Sequence, residues 1–104
     1  MSQQQHNQLN YYRTAADNMY RFYNELYQLS RLNYNDTENV GIVMNYFKNL
    51  GDTAELRGIS NTKELKELVI EKMNLYLKLA EDNEKKYDSI FEKKYFEFSV
   101  NQVG

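Results

Sequence analysis

Cysteine, proline and tryptophan are absent from this chain of 104 residues, which holds one histidine and four glycines. Without cysteine there is no disulfide scaffold, thiol nucleophile, zinc knuckle or cysteine-ligated iron–sulfur cluster. Stability has to come from packing. The lone histidine, His6, lies in a polar, Gln-rich start. A metal centre needs several converging ligands, and a Ser–His pair needs a third group to orient the base, so His6 carries neither. The glycines Gly41, Gly51, Gly58 and Gly104 match neither a GxxxxGK[ST] nor a GxGxxG spacing, so nucleotide chemistry has no phosphate loop. No apolar run approaches the ~20 residues that span a bilayer, and the start MSQQQHNQLN has neither the basic nor the apolar region of a secretory signal. The expectation is a cytoplasmic, non-enzymatic protein with no cofactor, no metal and no membrane partner.

Charge of one sign is also lacking: 13 basic against 15 acidic side chains give a formal charge of −2, too weak a field to steer the chain to nucleic acid. A chain of this length supports one domain. Abundant Asn, Lys and Tyr, encoded by A/T-rich codons, fit an AT-rich bacterial, phage or other mobile genome.

What is present is helical periodicity. Residues 1–7 have nothing to bury and are expected to fray. From Leu9 onward, Tyr12, Ala16, Met19, Tyr23 and Leu26 recur at three- and four-residue steps, the mark of a helix face. Ala15, Phe22 and Leu29 widen that face to about half the circumference, beyond the ~100° stripe of a surface helix. The run Asn33 to Glu38 breaks the pattern, with Asp36 or Thr37 placed to cap a second helix. Val40, Val43, Met44, Phe47 and Leu50 form its stripe, and Gly51 stands where a left-handed C-cap ends it. Asp52 to Glu55 has capping-box spacing, with room for one helical turn before Gly58. Asn61 and Glu64 open the longest helix, whose stripe runs through Leu65, Leu68, Val69, Met73, Tyr76, Leu79 and Ala80. Its second half is more polar, with only Tyr87, Ile90 and Phe91 continuing the stripe and Asn83 interrupting that stripe, and Glu81 and Asp82 stand four residues before Lys85 and Lys86 in the ion-pairing orientation. At the end, Phe96, Phe98 and Val100 alternate like a strand, yet Ile90, Phe91, Tyr95 and Phe98 fit a helix, which is the preferred reading to about Phe98.

The expected fold is therefore all-α: a small bundle of three main helices, at about 8–33, 37–50 and 61–97, with a short helical turn near 53–57. One helical domain would cover 8–98, with 99–104 frayed. Helices one and three display more apolar surface than a three-helix monomer hides, so a homodimer or a docking surface for another protein is expected.

Two constellations invite chemistry. The acidic run Glu81, Asp82, Glu84, Asp88 and Glu92 lacks the glycine of a calcium loop and the concave setting of a paired-carboxylate site, and reads as a solvated face. A helix-turn-helix over Thr37–Met73 has too long a connector, and Glu64, Glu67 and Glu71 stand where phosphate contacts want bases. The ten tyrosines are the more informative feature. Tyr20, Tyr27 and Tyr34 are spaced by seven and share a flank with Arg13, Asn24 and Arg31. Such rings cover core edges with their hydroxyls in water. Tyr and Arg are also the residues enriched at interface hot spots, so Arg13, Tyr20, Tyr27, Arg31 and Tyr34 are the candidate binding residues for a protein partner. The alternative is a nucleic-acid or nucleotide module with tyrosines stacking on bases and Arg13, Arg31 and Lys48 on phosphates; it lacks a basic groove. Size and helical content resemble the small helical secretion substrates built on a central Trp-x-Gly turn, but the corresponding stretch here reads Leu56-Arg57-Gly58. The layout is also similar to small bacteriocin-immunity bundles, without a shared motif. Neither resemblance assigns a functional residue.

Overall fold

The computed structural model describes residues 3–103, with side chains described for 3–93. Among the described residues its regular secondary structure is helical, in the order α1 (Gln3–Ser30), α2 (Thr37–Asn49), α3 (Thr53–Leu56) and α4 (Thr62–Val103). The chain divides into two compact units, one from Met1–Phe22 with Tyr76–Gly104 and one from Tyr23–Leu75. We refer to them as the two-helix unit and the four-helix unit, after the helices that contribute to each.

The helix boundaries differ from the sequence expectation for local reasons. Helix α1 begins at Gln3 rather than near residue 8. Gln is a good helix former that needs no burial, and the Gln3 amide donates to Asn7 Oδ1 one turn on, at 3.3 Å. The same helix ends at Ser30, three residues short of the expected 33, because the backbone tightens into i→i−3 bonds, Arg31 to Gln28 and Leu32 to Leu29. Side chains complete the stop: the Tyr34 hydroxyl donates to the Leu29 carbonyl at 2.9 Å and Asn39 Nδ2 to the Asn33 carbonyl at 3.1 Å. Asp36 then caps α2, accepting the Glu38 N–H at 2.9 Å. At the other end Gly51, at φ 84°, closes a Schellman motif, with Gly51 N–H to Lys48 O at 3.1 Å and Asp52 N–H to Phe47 O at 3.0 Å.

The capping box foreseen for α3 does not form: Asp52 makes no side-chain cap bond, and Glu55 pairs with Lys72 at 2.7 Å instead, tying α3 to α4. Asn61 does cap α4, its Oδ1 accepting the Glu64 N–H at 2.9 Å. The helix runs through Asn83 as expected, and the Asn83 amide donates back to the Leu79 carbonyl at 2.8 Å. Backbone helix continues to Val103, past the expected end near 97, which corrects the strand alternative at 95–100. A strand there would leave its backbone groups unpaired, whereas extending the helix satisfies them within the segment.

The four-helix unit holds most of the buried apolar volume. Leu26 of α1, Val43 and Phe47 of α2, and Leu65, Leu68 and Val69 of α4 are buried, four of them completely. Glu25 of α1 accepts the Tyr46 hydroxyl of α2 at 2.8 Å outside that core. Among the described side chains of the two-helix unit the buried apolar residues are Leu9, Ala16 and Ala80, two of them only a methyl group in size. The two helices run antiparallel there, with Phe22 and Tyr76 ring centroids 5.2 Å apart, Tyr20 bonded to Glu84 and Lys86 at 5.6 Å over the Tyr12 ring. Lys86 thus serves α1 rather than the expected pair with Asp82. A flat aromatic face receives both its stem and its charge, which an exposed carboxylate does not.

Candidate functional site

In the two-helix unit, α1 and α4 enclose a cleft of about 430 Å³ with Arg13, Asp17 and Tyr20 on one wall and Glu84, Tyr87 and Asp88 on the other. Positions 13, 17 and 20 follow one another at helical spacing along a single flank of α1, as 84, 87 and 88 do on α4. The Tyr20 hydroxyl crosses the cleft and donates to Glu84 Oε2 at 2.5 Å. Its pKa is pushed up to about 12, first by that bond to Glu84, then by desolvation and by the charges of Glu84 and Glu81. Ionising the phenol would place two negative oxygens against each other. Three carboxylates and one guanidinium therefore face this cleft, which makes it a poor receptor for a phosphate and leaves Arg13 outnumbered.

Tyr27, Arg31 and Tyr34 belong to the four-helix unit. Tyr27 is exposed near the end of α1, its ring following that of Tyr23 at 6.4 Å between centroids. Arg31 lies 5.7 Å above the Tyr27 ring and donates from Nη1 to the Tyr27 hydroxyl at 2.9 Å. This double contact holds a flexible guanidinium over an exposed ring in one arrangement. Tyr34 does something else. It lies beyond the end of α1, so the seven-residue spacing does not continue as a helical row. Its hydroxyl is spent on Leu29, Lys66 Nζ sits 6.0 Å from its ring centroid, and desolvation raises its pKa. The candidate residues thus fall into three settings: Arg13 with Tyr20, Tyr27 with Arg31, and Tyr34 as a helix stop. Lys48, the third base of the nucleic-acid alternative, lies in the last turn of α2.

Sequence reasoning missed Glu84, Tyr87 and Asp88 as cleft residues because it treated the acidic run as one solvated face. The available signal was the stripe continuing to Tyr87, which turns part of that run toward α1. It also missed a second cavity, in the four-helix unit, walled by Val40 and Met44 of α2, Leu56 of α3, Ile59 of the connector and Leu65 of α4, with Asn61 and Thr62 at its edge. The spacing of Leu56 and Ile59 by three was the available sign that this connector has an apolar side. Among the described residues no group of three His, Cys, Asp or Glu side chains is arranged to hold a metal ion, and no helix is long and apolar enough to cross a membrane.

Comparison of the chain with protein-family models, with curated proteins and with solved structures finds no match.

Proposed function

We propose that this is a non-enzymatic protein that works by binding another protein, of the kind a phage or mobile element uses to inhibit a host component in the cytoplasm, and that it self-associates as a homodimer. The observation that carries this reading is apolar surface left over after a core is complete. In the four-helix unit six apolar side chains are buried, yet Ile42 remains 48% and Leu75 43% exposed, with Tyr27, Met44 and Ile70 each exposed by more than a third. A contiguous apolar patch on a folded surface marks a site that is covered in use, and we read these side chains, spread over α1, α2 and α4, as parts of such patches. The Tyr27–Arg31 arrangement supports the same reading. Aromatic and arginine side chains dominate binding energies, and a pair already ordered by its own contacts loses less entropy when a partner arrives.

The test has two arms. Sedimentation velocity over a hundredfold concentration range should show monomer giving way to dimer; a monomer at every concentration removes the homodimer. Affinity purification from a bacterial lysate should recover a stoichiometric protein, retained poorly by Tyr27→Ala with unchanged helical circular dichroism. If nothing is recovered and Tyr27→Ala only lowers stability, Tyr27 is an edge residue of the core. The nucleic-acid alternative predicts binding to a labelled oligonucleotide that falls steeply with salt. The carboxylates around Arg13 weigh against it.

A further inference from the structure

The cavity between α2, α3 and the start of α4 has a chemistry of its own and shares only Met44 with the exposed apolar side chains named above. Its volume is about 210 Å³ and it opens to solvent on one side. Val40, Leu56, Ile59 and Leu65 form apolar walls, and Met44, 36% exposed, stands at the opening. An apolar cavity of about 150 Å³ lined by Leu, Ile and Phe stays dry and accepts benzene, so this volume suits one aromatic ring with a small substituent. Methionine at the opening adds a flexible thioether that packs well on ring edges.

The polar edge narrows the choice. Asn61 uses its Oδ1 to cap α4, at 2.9 Å from the Glu64 nitrogen, and its amide nitrogen, a donor, stands on an exposed residue at the cavity edge. The Thr62 hydroxyl beside it is exposed at the same edge of the cavity. Two donors at the edge of an apolar cavity select a ligand that carries an acceptor. That acceptor is a neutral oxygen, because a carboxylate already stands at this helix start. Glu64 accepts from the Ser60 N–H at 2.8 Å and the Ser60 hydroxyl at 3.0 Å. Those bonds lower its pKa, so it is ionised at neutral pH and repels a second anion.

We propose that this cavity is a binding site for a small, uncharged aromatic molecule bearing one oxygen acceptor, with the ring between Met44, Leu56 and Ile59 and the oxygen at Asn61 and Thr62. Bound there, the ligand would bridge α2, α3 and α4 and stabilise the connector by linkage.

The experiment is a methyl-resolved NMR titration of the full chain with phenol, toluene and benzoate as probes. Phenol should give saturable shifts centred on the methyls of Val40, Met44, Leu56, Ile59 and Leu65. Toluene, lacking the acceptor, should bind about fivefold more weakly, and benzoate about tenfold more weakly or not at all. Thr62→Val should bring phenol down towards toluene. Leu56→Trp, which fills the cavity from α3, should abolish the response while keeping the helical circular dichroism. If that variant fails to fold, Ile59→Phe, filling from the connector, is read in its place. Unsaturable or dispersed shifts, a filled variant that responds like the parent, or benzoate binding as well as phenol would each overturn the proposal.

Discussion

Tyr20 is a tyrosine whose ionisation the fold opposes strongly. Its phenol donates to Glu84 at 2.5 Å, and losing that proton would replace an attraction by a repulsion, which is why its pKa rises to about 12. The folded state therefore favours the neutral phenol. The resulting stabilisation is fully present below the unfolded pKa of about 10 and is lost as pH rises through about 12. Tyr20→Phe should lower stability slightly at pH 8, by no more than about 1 kcal/mol for so exposed a bond. The gap between parent and variant should close between pH 10 and 12, as measured by urea unfolding at several pH values. A gap that stays constant across this range would show that the phenol proton is not what Glu84 holds. Spacing by seven put Tyr20 on a flank of α1, but no property of the sequence names Glu84 as its partner, because the two are 64 positions apart.

At the scale of the element, the local stop signals were the most legible part of the chain. Asp36, Gly51 and Asn61 each act within three residues of themselves, and each does in the structure what its type and position imply. Gly51 provides a clean test. At φ 84° it has nothing within 4 Å of where a Cβ would stand, so Gly51→Ala meets conformational strain alone. The expected cost is about 1–2 kcal/mol, the usual penalty for an L residue in the left-handed region, read as a lower midpoint in thermal or urea unfolding. A neutral substitution would mean that the Schellman closure of α2 contributes nothing. The capping box at Asp52 does not form: Asp52, at ψ 34°, lies outside the extended conformation of a capping residue, and the Glu55 side chain is taken by Lys72, 17 positions away. The start of α1 differs from the pattern for a related reason: residues 1–7 offer nothing to bury, yet within a helix the Gln3 amide finds an acceptor one turn away.

For the whole molecule, the uneven placement of the core has a measurable consequence. Among the described side chains the four-helix unit buries Leu26, Val43, Phe47, Leu65, Leu68 and Val69, whereas the two-helix unit buries Leu9 and two alanines. Burial of a large apolar side chain stabilises by roughly 1.5–3 kcal/mol, so opening the two-helix unit costs less. Native-state hydrogen exchange should accordingly find the amides around Leu65–Val69 markedly slower than those around Leu9–Tyr12; equal protection in both would contradict this division. An all-helical chain, the caps at Asp36, Gly51 and Asn61 and most positions of its apolar stripes follow from the sequence, because a 3.6-residue period and a capping side chain act over distances the chain itself fixes; Met44 and Leu79, on the expected stripes, are exposed instead. Which acids turn toward α1, which tyrosine is bound and which is a stop, and the cavity behind Leu56 and Ile59 were decided by tertiary structure alone. Each depends on groups brought within a few ångströms by folding, and a linear pattern records the face a residue shares with its own helix but not the surface that meets it.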